Sequence, residues 1–580
     1  MTRAMTFAPK QQHLMRRRIN RAFKMRGLSI QLPAIDALMN VLKRESPQVA
    51  ESVLLNIIDE VKDKLMKQSS TSSSYSSQVI VTKSLLSNVV AELSRDGEDI
   101  TNEALQLLDA FETPRLFYDG MKKQFTLLER VINDECGLLG EPVDKINMFL
   151  QRYLLVQQRI LRQDVFRPKL VTSDVRNSFG DGNVETSVKL TPIESLLGRK
   201  GKQTLMGMIV QVEEGKYYLE DVTAQVPIDL SEASIATDGF IMENCIVLVE
   251  GEMVDDILMV HLIGNPIYEN RMDALNAVGL QNSDIFNAMP SLAELTRMRE
   301  QEEEHGADGM FVMLSDVHLD KPSTLSKLEK LFAGFETLDP LPVFVLMGNF
   351  TSQALLTSKE GPKQIMGYFE DLGNLISKFP RITNEGRIIF IPGPNDPGLG
   401  GVLPRPPIPN YFTGALRSKV SHAIFTSNPC RVRFFSKEIV LYRQDMVFKF
   451  RRNCIIPPRK VDGEDSSTEN NTNHIAKCAI KTMLDQGHLS PLPLSSTPIH
   501  WKLDHAMRLY PPPDAVIVGD STNQYYEDYN GCDVINPGPF IGGTGNVAGD
   551  FSFVVYRPVG DMSNQKEDVI RSDVEFSQID

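Results

Sequence analysis

Apolar residues near the amino terminus repeat with the spacing of α-helices. One stripe follows the i, i+3, i+4, i+7 pattern at Ile35, Leu38, Met39 and Leu42. A second stripe runs from Val53 to Leu65 behind a Ser-Pro pair that is typical of a helix start. We predict a small all-α domain over residues 1–68. Core packing is the simpler explanation of the stripes, and a face for a partner is the alternative.

Residues 69–185 begin with a polar segment and continue with an apolar one. Residues 69–80 are rich in serine and threonine and offer little to bury, so we predict a linker. Apolar residues then return at helical spacing, with a long stripe from Ile146 to Ile160. Residues 81–185 are therefore predicted to form a helical connector.

From about residue 186 the apolar period becomes two, which is typical of β-strands. The strand candidates are 205–212, 217–220, 226–230, 245–250 and 258–263. Five short strands in residues 186–270 predict a small β-barrel of the oligonucleotide/oligosaccharide-binding type, the OB-fold. Its few aromatic residues, such as Tyr217, lie among acidic ones. A structural or protein-binding barrel is therefore favoured over one that binds single-stranded nucleic acid.

The carboxy-terminal half alternates strands and helices, which predicts an α/β domain over residues 307–580 after a connector at 271–306. A polar stretch, 459–474, is predicted to be a flexible insertion, and the tail after Pro558 is also polar. The apolar runs 310–314, 343–347, 388–391 and 515–518 each lead into a short polar loop. Because strand carboxyl ends share one edge of such a sheet, these loops should meet in one crevice.

Charge and composition argue against several classes of function. The 580 residues include 61 Lys and Arg against 75 Asp and Glu, a formal net charge of -14, which argues against binding nucleic acid over the whole surface. The six cysteines contain no Cys-x-x-Cys pair, so we expect reduced thiols and no zinc finger. Long uninterrupted apolar runs are missing, so we expect no membrane contact.

The amino terminus is basic, with Arg16, Arg17, Arg18 and Arg21 all preceding the first acid, Asp36. A folded basic helix is the favoured interpretation, because the segment is poor in serine and merges into a helical pattern. A mitochondrial presequence and a disordered nucleic-acid-binding arm are the alternatives.

The polar loops of the α/β domain resemble, in order, the motifs of calcineurin-like metallophosphoesterases. That family uses D-x-H, G-D, G-N-H-D/E, a lone His and G-H-x-H to hold two divalent cations that activate water. This chain keeps Asp316 and His318. Asn349 replaces the bridging Asp, and Asn395, before Asp396, replaces the catalytic His. Asp520 replaces a His of the last motif.

These substitutions predict an inactive phosphoesterase domain with no catalytic residue, cofactor or metal ligand. The degenerate centre comprises Asp316, His318, Asn349, Asn395, Asp396 and Asp520. Too few ligands are left for a two-metal site. The alternatives are a competent hydrolase and a single weakly held Mg²⁺ or Mn²⁺; a hydrogen-bonded remnant is favoured over both.

A helical module, an OB-fold and an inactive phosphoesterase, in this order, resemble the B-subunits of eukaryotic replicative DNA polymerases, and among them those of DNA polymerase epsilon. The resemblance is carried by the motifs at 314–320, 348–350, 391–398, 427–431, 504–511 and 536–540. It implies a non-catalytic scaffold subunit in nuclear DNA replication. A residual metal-dependent phosphodiesterase is the alternative.

The resemblance also implies partners. In the family, the OB-fold and the inactive phosphoesterase bind the Cys-rich carboxy-terminal module of the catalytic subunit. The amino-terminal domain contacts the replicative helicase through GINS. The small histone-fold subunits of the complex would be indirect partners, and DNA contact would be weak or indirect.

Overall fold

The computed structural model describes residues 23–24, 29–30, 80–81, 105–128, 140–166, 188–196, 198–278, 302, 306–398, 401–459, 468–541, 551–559 and 572–579. The chain divides into two compact units, Met1–Ala104 and Leu105–Asp580. Among the described helices, none is both long and apolar enough to cross a membrane.

In the amino-terminal unit, strand β1 (Ser29–Ile30) pairs in parallel with β2 (Ile80–Val81). Phe23, in a short helical segment, is fully buried. The predicted linker over residues 69–80 therefore needs correction at its last residue, because Ile80 belongs to a paired strand. The two helical stripes of this unit lie outside the described residues and stay predictions.

The prediction of a helical connector over residues 81–185 is wrong for its middle part. Strands β3 (Leu105–Asp109), β4 (Arg115–Asp119) and β5 (Gln124–Leu128) precede helix α1 (Pro142–Ile160). The leucines of β3 suit a helix as well as a strand, so local pattern does not reveal it. Pairing with a distant strand determines its conformation.

Helix α1 confirms the predicted stripe, with a proline in its first turn and a capping box formed by Glu141 and Asp144. Tyr153, Val156 and Ile160 of its buried face pack against Met206 and Ile246. Two residues that the stripe assigned to the core are exposed, Ile146 by 64% and Leu150 by 37%.

The predicted OB-fold barrel is confirmed. Its strands are β6 (Gln203–Glu213), β7 (Lys216–Glu220), β8 (Gln225–Asp229), β9 (Ser234–Ile235), β10 (Ile241–Met242), β11 (Ile246–Val254) and β12 (Ile257–Gly264). The sheet order is β11-β6-β7-β8-β12-β9, and an additional pairing of β11 with β12 closes it. Met206 and Ile246, the residues on which α1 packs, lie in the adjacent strands β6 and β11.

The α/β domain contains the other elements. In chain order they are α2 (Arg271–Val278), β13 (Phe311–Leu314), α3 (Pro322–Phe335), β14 (Val343–Met347), α4 (Gly361–Ile376), α5 (Pro380–Asn384), β15 (Ile388–Ile391), α6 (Asn410–Lys419), β16 (Ala423–Phe425), β17 (Cys430–Phe434), β18 (Lys437–Arg443), α7 (Met446–Asn453), β19 (Cys454–Ile456), α8 (Thr468–Gln486), β20 (Ala515–Gly519), β21 (Tyr525–Tyr529), β22 (Cys532–Asn536), β23 (Phe551–Arg557) and β24 (Asp573–Ile579).

All of these strands except β19 join β3 in two six-stranded sheets, ordered β16-β15-β14-β13-β23-β24 and β21-β22-β20-β18-β17-β3. The sheets pack against each other, with the Phe311 ring edge-on to that of Phe434 at 5.5 Å between centroids. Strands β13 to β16 run parallel, and β13 and β15 are buried at every position. Burial on both faces explains why these strands are uninterrupted apolar runs in the sequence.

One further prediction needs correction, and the tail for which no structure was predicted contains a strand. Helix α8 begins at Thr468, so the second half of the predicted flexible insertion 459–474 is helical. The polar tail includes β24, which pairs antiparallel with β23 along its whole length. Only one neighbour pairs with this edge strand, so its sequence does not need the apolar signature of a central strand.

The barrel joins the α/β domain through hydrogen bonds made by buried groups. Gln486 of α8 accepts a hydrogen bond from the Ile246 backbone N–H and donates one to the Ile246 carbonyl, both at 2.8 Å. The Thr482 hydroxyl accepts one from the Phe240 N–H, also at 2.8 Å. Strand β10 of the barrel also pairs with β19 of the α/β domain. The two domains therefore share one continuous core.

Candidate functional site

The polar loops that follow the parallel strands meet at one edge of the sandwich, as the sequence predicts. Asp316 and His318 follow β13, Asn349 follows β14, Asn395 and Asp396 follow β15, and Asp520 follows β20. Five of these six residues belong to one connected group of loops. The Asp520 side chain is directed elsewhere.

Asp316 organises the crevice through a single carboxylate oxygen. Its Oδ1 accepts hydrogen bonds from the backbone N–H and the side-chain Nδ2 of Asn349, at 3.1 and 3.0 Å. His318 Nε2 lies 3.8 Å from the same oxygen. Asp316 has φ +53°, a left-handed conformation that Asp tolerates better than most residues. Burial lowers the pKa of His318, so its imidazole is neutral near pH 7.

The centre of the crevice is filled by Arg443, the last residue of β18. Its guanidinium donates to Asp316 Oδ1 at 2.6 Å and to the Gly348 carbonyl at 2.6 Å. It also donates to the Gly519 carbonyl and to Asp445 Oδ1, each at 2.9 Å. The Arg443 side chain is only 1% exposed. Burial alone would lower its pKa, but the carboxylates of Asp316 and Asp445 outweigh burial and raise it.

Asp396 occupies the neighbouring loop. Its carboxylate accepts hydrogen bonds from the Phe350 and Gly393 backbone N–H groups, both at 2.7 Å. Burial raises the pKa of Asp396 to about 6. The Asn395 N–H donates to Asn349 Oδ1 at 2.8 Å, so the residue at the catalytic-His position contributes its backbone to this group.

Asp520 caps a helix. Its Oδ2 accepts hydrogen bonds from the N–H groups of Met446 and Val447 at the start of α7, at 2.7 and 3.0 Å. The residue is fully buried, and burial raises the pKa of its carboxyl group. Both oxygens are occupied, since Oδ1 accepts the Thr522 N–H at 3.0 Å. Capping is a structural role for this residue.

Three models of DNA polymerase subunit families match successive parts of the chain. The family of DNA polymerase alpha/epsilon B-subunits matches residues 311–527. The OB-fold domain of DNA polymerase epsilon subunit 2-like proteins matches residues 142–267, which include α1. The DNA polymerases epsilon N terminal family matches residues 11–82.

Relatives that match most of the chain are also epsilon B-subunits. The DNA polymerase epsilon B-subunit of Arabidopsis thaliana is 36% identical over 557 residues, covering 94% of this chain and 97% of the relative. DNA polymerase epsilon subunit 2 of Homo sapiens is 34% identical with the same coverage. The Saccharomyces cerevisiae B-subunit is 31% identical over 75% of this chain and 72% of its own length. The chain belongs to the family of DNA polymerase epsilon B-subunits.

Membership in the epsilon B-subunit family assigns the chain a role in the polymerase complex and in DNA replication. Among solved structures, an archaeal phosphodiesterase aligns with 47% of this chain at a TM-score of 0.23 and 14% identity. That likeness is too low to support a conclusion about activity.

The crevice of this epsilon B-subunit does not fit a pair of divalent cations. Nowhere in the described part of the chain do three His, Cys, Asp or Glu side chains form a group able to hold a metal ion. Asp316 Oδ1 already contacts a permanently charged guanidinium, and Asn349 supplies no bridging charge. A cation placed beside Arg443 would meet a like charge in a buried setting.

Arg443 is the residue that sequence reasoning missed. The signal was the same one that identified the other loops, because the apolar run 439–442 ends in Arg443, Gln444 and Asp445. A search for metal ligands passes over arginine, which never acts as one in its charged form. Strand position alone would have placed Arg443 at the crevice.

Proposed function

We propose that this chain is a non-catalytic scaffold subunit that binds the Cys-rich carboxy-terminal module of the catalytic subunit of DNA polymerase epsilon in the nucleus. Family membership supports the place in the complex, and the Arg443 guanidinium in the crevice is the observation that supports a binding role over hydrolysis. Because one of its own side chains fills the crevice, the phosphoesterase fold would serve as a rigid surface for binding a partner.

The junction between barrel and α/β domain is our choice for the contact surface. Four large apolar side chains around it are 47–59% exposed: Leu161, Val165, Ile267 and Met272. Gln163 Nε2 donates to the Ile267 carbonyl at 3.5 Å, so the segment just after α1 lies next to the segment that follows β12 of the barrel. The Tyr268 N–H donates to Asp485 of α8 at 3.0 Å, which fixes the same segment to the α/β domain. Exposed apolar groups beside a rigid junction suit a protein partner.

Co-expression tests this proposal. The full-length chain and the catalytic module, co-expressed, should co-elute at 1:1 stoichiometry in size-exclusion chromatography. A double variant, Ile267→Asp with Met272→Asp, should lose co-elution while keeping its circular dichroism spectrum. Tyr411→Asp is the matched control, because Tyr411 is 65% exposed on α6. A wild-type chain that stays monomeric beside the soluble module would refute the proposal.

The amino-terminal unit is proposed to contact the replicative helicase through GINS. The family match at residues 11–82 and the division of the chain after Ala104 support a separately folded module. Such a module tethered to the scaffold would raise the effective concentration of one partner near the other. The histone-fold subunits are then indirect partners through the catalytic subunit, and DNA contact is weak or indirect.

A residual phosphodiesterase is not favoured. Asp316 and His318 are present, but Asp316 Oδ1 is engaged by Arg443 and Asn349. We expect no Mn²⁺-dependent hydrolysis of bis(p-nitrophenyl) phosphate above the rate of an Asp316→Ala variant. A Mn²⁺-dependent rate that Asp316→Ala abolishes would restore this candidate.

A further inference from the structure

The oxygen atoms around Arg443 are of the kind that hard divalent cations prefer. Its guanidinium meets two carboxylate oxygens, of Asp316 and Asp445, and two backbone carbonyls, of Gly348 and Gly519. Three of them belong to the loops after β13, β14 and β18, and the fourth is the carbonyl of Gly519 at the end of β20. All four lie within 2.6–2.9 Å of a guanidinium nitrogen. Carboxylates and carbonyls are the usual protein ligands of Mg²⁺, Mn²⁺ and Ca²⁺.

We propose that the Arg443 guanidinium is a built-in replacement for a divalent cation, and that removing it uncovers a divalent-cation site lined by the same oxygen atoms. The proposed site lies within the crevice and does not depend on which partner the chain binds.

Charge and geometry both support the replacement. Arginine stays protonated in proteins and offers five N–H donors in a rigid plane, so one side chain can satisfy acceptors from several loops. A single positive charge suits a crevice in which the neutral Asn349 stands at the position of the bridging Asp of the phosphoesterase motifs. The guanidinium joins the two sheets, because Arg443 ends β18 of one sheet and Asp316 follows β13 of the other.

His318 lies next to the proposed site. Its Nε2 lies 3.8 Å from Asp316 Oδ1, and its side chain is 21% exposed. The imidazole therefore lies at the mouth of the crevice, beside the oxygen that Arg443 contacts. With Arg443 shortened, two carboxylates and two carbonyls would line the space, with water completing the coordination.

Thermal unfolding of the full-length chain with Mn²⁺ as the probe tests the proposal. The wild-type Tm should be the same in EDTA and in millimolar Mn²⁺. Arg443→Ala should unfold at a lower temperature in EDTA, because it leaves Asp316 buried without its cation. Its Tm should then rise with Mn²⁺ along a saturation curve, and electron paramagnetic resonance should detect the bound ion. A folded Arg443→Ala that neither binds Mn²⁺ nor gains stability from it overturns the proposal.

Two controls separate a specific site from general metal binding. Arg443→Ala combined with Asp316→Asn removes the central carboxylate and should abolish the Mn²⁺ response. Arg405→Ala removes a second buried arginine near the crevice, which donates to the Asp396 carbonyl at 2.8 Å. It should lower the Tm with no Mn²⁺ recovery. An equal Mn²⁺ response in either control contradicts the assignment.

A second pair of variants covers the case in which Arg443→Ala fails to fold. Arg443→Lys keeps the positive charge, whereas Arg443→Met has similar length and no charge. A cation role predicts a higher Tm for the lysine variant than for the methionine variant. If the methionine variant is equal or more stable, Arg443 acts by packing and the proposal fails.

Discussion

Asp316 and Asp396 lie in the same crevice but are stabilised by different groups. Asp316 contacts the guanidinium of Arg443, whereas the carboxylate of Asp396 is held by two backbone N–H groups. Burial raises the pKa of Asp396 to about 6, above the ordinary value of 3.8. The folded state therefore binds a proton that the unfolded chain has released at pH 5, and this contribution to stability is lost as the pH rises through 6.

Replacing Asp396 tests this assignment. Asp396→Asn removes the titration, so the free energy of unfolding of the wild type should fall relative to the variant between pH 4 and pH 7. The fall should reach at most about 3 kcal/mol, at about 1.4 kcal/mol per pKa unit. Urea unfolding at half-unit pH steps measures it. Asp256→Asn, in an exposed turn with φ +64°, is the control. Parallel profiles for the wild type and Asp396→Asn would contradict the prediction.

Gly348 permits the close approach of the crevice loops. A Cβ atom there would lie 1.8 Å from Asp396 Oδ2 and 2.5 Å from the Gly393 nitrogen. Gly348→Ala should lower the free energy of unfolding by roughly 1–3 kcal/mol, the usual cost of overpacking. Gly334→Ala, in α3 with open space around it, should be neutral or slightly stabilising. Chemical denaturation compares the two, and equal stabilities would refute the steric argument.

At the scale of elements, the barrel and the α/β domain are joined by side chains of α8. Gln486 satisfies both backbone groups of Ile246 and also donates to Asn265 Oδ1 at 2.9 Å. An unpaired backbone group in this buried place costs more than an ordinary hydrogen bond contributes, because it has lost its water. The junction therefore depends on a few polar side chains as well as on the shared core.

Gln486→Leu should destabilise the chain by roughly 2–5 kcal/mol, since it leaves the N–H and the carbonyl of Ile246 buried and unpaired. Gln364→Leu, on the exposed face of α4, should change stability by less than about 0.5 kcal/mol. Thermal unfolding with matched scan rates distinguishes them. If both variants unfold like the wild type, Gln486 is not needed at the junction.

Sequence patterns predict some elements well and others poorly, for physical reasons. Strands 343–347 and 388–391 are predicted with their observed bounds, because parallel strands buried on both faces must be apolar throughout. Strands β3 and β24 were missed, because each lies at a sheet edge, and β3 also depends on a partner that is distant in the sequence. The same distinction applies to the crevice, where motif order finds Asp316 and His318 but misses Arg443.

At the scale of the whole molecule, two compact units divide the chain after Ala104. The candidate contact surface for the catalytic subunit and the crevice both belong to the second unit. The family match at residues 11–82 belongs to the first. The two proposed partners should therefore be separable by deletion.

A chain that lacks residues 1–104 should retain co-elution with the catalytic module and lose capture by GINS-containing helicase. Pull-downs of the full-length and truncated chains, each with both partners, measure this. Loss of both interactions together would contradict the division of labour, provided that the truncated chain gives a sharp thermal transition.

The most direct test of the account is a crystal of the wild-type chain grown in Mn²⁺, with diffraction data collected at the manganese absorption edge. We predict guanidinium density against Asp316 and no anomalous peak in the crevice. Two strong anomalous peaks there, with Arg443 displaced, would contradict it.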